Sequence, residues 1–336
     1  MKKVFIIAEA GVNHNGNLDI ARKLVDVAAE AGADAVKFQT FRAEKLAREN
    51  TPRADYQIKN TGSTESQFEM LNNLQLRTDD YALLWEHCQG NNIEFMSTPF
   101  DEESADLLDQ LGMQKFKIPS GELTNLPLIR HIAKKEKEII LSTGMSTLGE
   151  IEAAVDWIYQ AGGQCKTSKL TILHCVSNYP VEVRDVNLNA MKTIRRALKL
   201  PVGYSDHTLG IEVAVAAVAL GASVIEKHFT IDREMQGPDH KASLEPVELK
   251  TMVKTIRTVE TALGDGTKRC MATERKNRYL ARKSIVASRA IKKGEILNES
   301  NLTLKRPDNG IAANRWEGVL GTKAIKTFQE NESIIL

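Results

Sequence analysis

Short β-rich runs alternate with amphipathic helical stretches through the first two-thirds of the chain, and the alternation repeats eight times. The strand signals fall at residues 4–8, 35–39, 93–97, 115–119, 138–142, 170–175, 202–205 and 224–228. Between them the apolar spacing is helical. Leu24, Val27, Ala28 and Ala31 share a face in 18–31, which stops at Gly32. Thr147 with Glu150 forms a capping box for a helix reaching Ala161, with Gly162-Gly163 as its stop. Pro246 opens a further helix with Val253, Ile256, Val259 and Leu263 along one side. Strict alternation predicts a parallel sheet, and eight repeats in roughly 200–250 residues is the size of a (β/α)8 TIM barrel, an α/β fold. An open doubly wound sheet is the alternative, and it lacks here its glycine-rich dinucleotide turn.

The whole chain has 336 residues, more than one barrel needs. We read 1–264 as the barrel, 265–282 as a linker rich in basic and polar residues, and 283–336 as a small, mostly β appendage. Its turns are expected at Lys293-Gly294 and Pro307-Asp308-Asn309-Gly310. The interval 41–76 exceeds an ordinary connection and is expected to be a functional loop or lid; its polar part, 56–66, shows no periodicity.

Lys+Arg 45 against Asp+Glu 44 leaves a formal charge of +1, so no bulk field draws in nucleic acid or an anionic membrane. The longest apolar run, 213–225, is interrupted by Gly221 and Ser223 and is too short to span a bilayer. Residues 4–8 are cut off by Glu9, shorter than a secretory signal core. Cys88, Cys165, Cys175 and Cys270 show no metal-binding or CxxC spacing, which fits reduced thiols and a cytoplasmic location.

The chemistry lies in what ends each strand. Glu9, Lys37 with Gln39, Ser97-Thr98, Lys117 with Ser120 and Glu122, Ser142-Thr143, Ser205 with His207, and Glu226 with His228 close seven of the eight runs. Barrel sites are built at this C-terminal face, so these groups converge if the fold is right. Side chains two apart share a face, which pairs Lys37 with Gln39, Ser205 with His207 and Glu226 with His228. Lys227 has the opposite parity and is expected to face the helices or solvent. Two neutral imidazoles ending adjacent strands can bind a divalent ion with open positions for water and substrate; hydrogen-bonded structural histidines are the alternative. Lys37 and Lys117 in apolar strands require anionic partners, either a substrate phosphate or carboxylate or a nearby Glu9 or Glu122.

Other features have structural readings. Asn13-His14-Asn15-Gly16 fits the first βα turn, because Asn-Gly favours positive φ. The basic runs 134–137 and 275–278 read as solvated faces, Trp85 and Trp157 as packing residues, and Cys175 as structural.

The strand-end motifs, in this order, resemble the N-acetylneuraminate (sialic acid) synthase family and the related legionaminic acid synthases, over nearly the whole chain. The matching stretches begin with Ala8-Glu9-Ala10-Gly11-Val12-Asn13-His14-Asn15-Gly16, Val36-Lys37-Phe38-Gln39-Thr40 and Ser97-Thr98-Pro99-Phe100. Lys117-Ile118-Pro119-Ser120-Gly121-Glu122, Ser142-Thr143-Gly144-Met145 and Tyr204-Ser205-Asp206-His207-Thr208 follow, then Glu226-Lys227-His228-Phe229 and Gly237-Pro238-Asp239-His240. The appendage, with Lys305-Arg306-Pro307, looks like the family's antifreeze-like (SAF) domain.

The resemblance implies a synthase that condenses phosphoenolpyruvate with an open-chain N-acylated amino sugar and water, releasing phosphate. It places Lys37, Lys117, Ser120, Ser142 and Ser205 on phosphoenolpyruvate. His207 and His228 would hold a divalent metal, manganese foremost, with magnesium or cobalt as substitutes. Glu122 is the expected water-activating carboxylate. Glu9, Gln39, Thr98, Tyr179, Glu226 and Asp239 are further catalytic or substrate contacts, and Arg306 would reach the acyl group in a partner's site within a domain-swapped homodimer. Ser177 stands where some members carry Asn, which bears on the sugar. The expected acceptor is N-acetylmannosamine, giving N-acetylneuraminate, with the diacetamido-trideoxy sugar of the legionaminate branch as the alternative. A Schiff-base aldolase using Lys117, or a non-catalytic carbohydrate-binding protein, are the rival classes.

Overall fold

The computed structural model describes residues 3–63, 65–162 and 169–336; Gly163 and Cys165 of the sequence reading lie outside them. Contacts divide the chain into two units, Met1–Asp265 and Gly266–Leu336.

In the first unit eight parallel strands run β1 Phe5–Gly11, β2 Ala35–Thr40, β3 Glu94–Pro99, β4 Lys115–Ile118, β5 Glu138–Ser142, β6 Leu170–His174, β7 Val202–Asp206 and β8 Val224–His228. Their hydrogen-bonded order is β3-β2-β1-β8-β7-β6-β5-β4, a nearly closed barrel with its seam between β3 and β4. At the seam the Lys115 ammonium donates to both carboxylate oxygens of Glu94 at 2.8 and 3.0 Å. The helices are α1 Leu18–Ala31, α2 Ala43–Leu46, α3 Asp55–Thr61, α4 Gln67–Leu74, α5 Thr78–Gly90, α6 Glu102–Gln110, α7 Leu126–Ala133, α8 Leu148–Ala161, α9 Ala190–Leu198, α10 Glu212–Ala219 and α11 Pro246–Leu263.

Local chemistry sets these boundaries. The Asn17 side chain accepts from the Asp19 and Ile20 amides to start α1, and Gly32 ends it at φ +80°. Thr147 and Glu150 close a reciprocal capping box on α8. The outer faces of the strands pack against the helices in one core that includes Phe38, Phe95, Phe116 and Tyr204. Trp85 and Trp157 pack against it, as expected of packing residues.

Inside the barrel a separate apolar layer is built from Ile7, Ala35, Met96, Ile140, Leu173 and Val224. Strand parity then dictates what lies two residues further along: Glu9, Lys37, Thr98, Ser142 and Glu226. An apolar floor therefore carries a polar layer.

The 41–76 interval is more ordered than expected. It contains α2, α3 and α4, and Phe41, Ala43, Met70, Leu71 and Leu74 form a small core of their own with Val12. Short helices of four to eight residues escape a periodicity reading because each spans about two turns at most.

In the second unit β9 Ser284–Ala287 pairs antiparallel with β10 Leu302–Lys305, and Ile285, Ile291, Leu297 and Phe328 centre its core. Its helices are α12 Arg275–Ala281 and α13 Trp316–Val319. The stretch read as a linker thus carries α12, whose Tyr279 carbonyl accepts from the Asp308 amide at 2.8 Å.

Candidate active site

Four buried ionisable groups meet in the polar layer. The Lys37 ammonium lies 2.6 Å from Glu9 and 3.6 Å from Glu226, and it donates to Thr98 Oγ1 at 3.0 Å. The Lys117 ammonium donates to Glu226 Oε1 at 2.8 Å, and Ser205 Oγ donates to the same oxygen at 2.9 Å. Each of these charged side chains is at most 5% exposed. Glu226 faces two ammonium groups. Burial works against its ionised form, but Lys117 and Lys37 outweigh burial and hold the carboxyl far below its usual range. Glu9 faces one, and burial pushes it up to about 7 against the pull of Lys37. Lys37 is held above its ordinary value, since Glu226 and Glu9 overcome the effect of burial. Both lysines therefore take carboxylate partners from within the barrel, Glu226 and Glu9; Glu122 partners neither.

Around this cluster the hydroxyls converge. Ser142 Oγ is buried and makes no hydrogen bond. Ser120 Oγ accepts from the Gly144 amide at 2.9 Å and lies 3.2 Å from Cys175 Sγ. A Cβ on Gly144 would meet Ser177 Oγ and crowd Ser120 and Cys175, so glycine lets these side chains close around the turn after β5.

The two imidazoles stand beside each other, with ring centroids 5.7 Å apart. His207 Nδ1 donates to the Val176 carbonyl at 2.7 Å, which leaves the lone pair on Nε2, 3.4 Å from Ser205 Oγ. His228 Nδ1 is buried without a partner. Burial depresses both rings, His207 to about 4 and His228 well below its ordinary value, so both are neutral at pH 7. Gly11, at φ +55°, makes room: a Cβ there would sit 3.2 Å from the His228 ring and 3.5 Å from Gln39 Nε2. Among the described residues no group of three or more His, Cys, Asp or Glu side chains is placed to hold a metal. Two neutral imidazoles, one with an orphaned buried nitrogen, nevertheless fit a divalent ion whose other positions go to water or substrate.

In the wall of the site, Tyr179 and Asp239 were expected from the sequence, while Tyr56 and Asn60 of α3 were not. Tyr179 lies 4.2 Å from the His207 ring and edge-on to His228 at 5.7 Å, and Tyr56 of α3 packs on Tyr179 at 5.1 Å. Asn60 of α3 donates to the Pro238 carbonyl at 2.7 Å, which ties the insertion to the segment carrying Asp239. Burial raises the Asp239 carboxyl to about 6. Asn13 donates to the Phe229 carbonyl and to Ser243 Oγ, joining the turn after β1 to the segment after β8. The alternation rule locates strand ends; it says nothing about segments that fold over them.

One expected residue, Glu122, pairs with neither lysine of the ionic cluster. Glu122 is half-buried on the turn after β4, and its carboxylate accepts from Asn125 Nδ2 at 2.6 Å. Arg306 is an exposed residue of the second unit. Lys227 does turn to the helix side as parity required, and it is buried, not solvated.

Residues 24–268 match the NeuB family, and residues 282–334 match the SAF domain. An N,N'-diacetyllegionaminic acid synthase of Campylobacter jejuni is 54% identical over 99% of both chains. A second, of Legionella pneumophila, is 49% identical over 95% of this chain and 90% of its own. The crystal structure of an N-acetylneuraminic acid (sialic acid) synthetase from Leptospira borgpetersenii, in complex with citrate, superimposes with a TM-score of 0.73. It is 37% identical and covers 82% of this chain and 90% of its own. The chain thus belongs to the NeuB family of sialic-acid-type synthases and carries a SAF domain after its barrel.

Proposed function

We propose that this enzyme condenses phosphoenolpyruvate with 2,4-diacetamido-2,4,6-trideoxymannose and water to give N,N'-diacetyllegionaminate and phosphate. The observation that carries the acceptor is the identity gradient. Legionaminic acid synthases match at 54% and 49%, against 37% for the sialic acid synthetase. The sequence-based expectation of N-acetylmannosamine gives way to this alternative.

The buried Lys37, Lys117, Ser142 and Ser205 supply cations and hydroxyls for the phosphate and carboxylate of phosphoenolpyruvate, with Ser120 on the neighbouring turn. Ser142, which has no internal partner, is a donor in waiting. Gln39, Ser177, Tyr179 and Asp239 line the side proposed for the sugar. His207 and His228 are the residues proposed to hold the divalent cation, manganese for preference, and such an ion supplies Lewis-acid polarisation of the sugar aldehyde.

Carbon 3 of the enol attacks the aldehyde carbon, forming the new C–C bond as the enol double bond opens, and the aldehyde oxygen takes a proton that the water added at carbon 2 later replaces. Positive charge develops on carbon 2 beside Glu226, whose ionised carboxylate steadies it. Water adds to carbon 2 and gives its proton to a carboxylate. Glu9, inside the ionic cluster, suits that step better than Glu122, which is engaged by Asn125. The C2–O bond to phosphate then breaks and leaves the keto acid. Arg306 is proposed to reach the acyl group from a partner's SAF domain.

The test is phosphate release from phosphoenolpyruvate with manganese, with and without each sugar. Sugar-dependent release abolished by chelator supports the reading. A borohydride-stable adduct with pyruvate would replace it with the Schiff-base class.

A further inference from the structure

A second buried ion pair lies on the outer side of the same two strands that carry the imidazoles. Asp206 and Lys227 are register partners on β7 and β8, one step beyond the pair Ser205 and Glu226. Their parity turns them away from the barrel interior, and their side chains are 0% and 1% exposed. The Lys227 ammonium donates to Asp206 Oδ2 at 2.7 Å and to the Thr208 carbonyl at 2.6 Å. Asp206 Oδ1 in turn accepts from the Thr208 amide at 3.0 Å and from Thr208 Oγ1 at 2.8 Å.

Stability alone does not call for this arrangement. A buried ion pair costs desolvation that an apolar pair of similar size avoids, and such replacements are often neutral or stabilising. What the pair does fix is geometry. Residues 206 and 208 flank His207, and residue 227 directly precedes His228. Two bonds from Lys227 therefore tie the residues on both sides of one imidazole to the residue beside the other, and two more join Asp206 to Thr208 across His207. His207 has its own anchor at the Val176 carbonyl. His228 has no hydrogen bond at Nδ1, so its placement depends on the strand that carries it.

We propose that Asp206 and Lys227 are positioning residues that set the spacing of His207 and His228, and through it the affinity of the site for a divalent cation. The inference rests on the reading of those histidines as cation ligands. Groups hydrogen-bonded directly to a metal-ligating histidine are typically worth about 10–100-fold in metal affinity, which is an upper bound for a pair that acts through the strands.

The experiment separates geometry from stability. Manganese binding to the full-length protein, without substrates, is measured by electron paramagnetic resonance for wild type and the double variant Asp206→Leu/Lys227→Met. The apolar pair is expected to keep the thermal midpoint of wild type while binding manganese at least about threefold, and at most about 100-fold, more weakly. A stable double variant with wild-type manganese affinity overturns the positioning role and leaves the cation reading intact. Wild type that binds no manganese overturns the cation reading, and the positioning role with it. If the double variant does not fold, Asp206→Asn, which keeps the shape and the acceptor, is read instead. A loss of at least about threefold supports the proposal, and unchanged affinity refutes it.

Discussion

Glu226 is the hub of the ionic cluster, and Glu226→Gln isolates its charge with little change of shape. The carboxylate sits 2.8 Å from Lys117 and 3.6 Å from Lys37. At an effective dielectric of about 20, such separations correspond to attractions of about 6 and about 5 kcal/mol, much of it offset by the desolvation of the groups. In the variant Lys37 keeps Glu9, while Lys117 loses its ion pair. Breaking a buried pair from one side costs about 3–5 kcal/mol. At about 2–4 °C per kcal/mol for a domain of this size, the thermal midpoint should fall by about 6–20 °C. An anion should then restore part of the loss, because a ligand that fills the site stabilises by mass action, about 2.7 kcal/mol at one hundred times its dissociation constant. With one negative charge removed beside two ammonium groups, the variant should gain more from a fixed concentration of phosphoenolpyruvate than wild type does. Differential scanning fluorimetry with and without the ligand reads both effects. A loss below about 1 kcal/mol, or equal gains in the two proteins, would refute the argument that these lysines await an anionic substrate.

Three further outcomes follow from the same geometry. Ser142→Ala should leave the thermal midpoint unchanged or slightly raised, since its buried hydroxyl has no partner, yet weaken phosphoenolpyruvate by about tenfold, read as kcat/KM. Asp239 has a folded-state value near 6, raised by burial, so its contribution to stability is present below about pH 4 and lost as the pH climbs through 6. Asp239→Asn should therefore be the more stable protein at pH 8, by up to about 3 kcal/mol, and should lose any limb near pH 6 in the pH profile of the sugar KM; unchanged profiles would remove Asp239 from that side of the site. Arg306→Ala should raise the KM of the sugar more than that of phosphoenolpyruvate, and an unchanged sugar KM would remove Arg306 from the site.

Much of the barrel could be read from the chain because two periodicities coincide there. The period of two within each strand separates Ile7 from Ala8 and Glu226 from Lys227, and the helical period between strands fixes the parallel connection. The strand-end pattern brought Glu9, Lys37, Lys117, Ser205 and Glu226 to the C-terminal face, and parity paired Lys37 with Gln39, Ser205 with His207 and Glu226 with His228. Parity could not say which carboxylate meets which lysine, since that depends on strand register around the barrel; hence Glu122 stood with Glu9 as an expected partner, and Glu226 did not. Nor could it find Tyr56. That residue sits on a two-turn helix whose stability comes from docking onto Tyr179 and the Asp239 segment, not from its own pattern. Lys227 shows the converse. Its outward parity was legible, but its burial and its tie to Asp206 depend on the helices that cover it.

The most direct test of the proposed function is a competition. The enzyme is given phosphoenolpyruvate, manganese and equal concentrations of N-acetylmannosamine and 2,4-diacetamido-2,4,6-trideoxymannose, and the products are resolved by mass spectrometry. The account predicts that N,N'-diacetyllegionaminate dominates, with phosphate released in equal amount to total product. A mixture dominated by N-acetylneuraminate would contradict it.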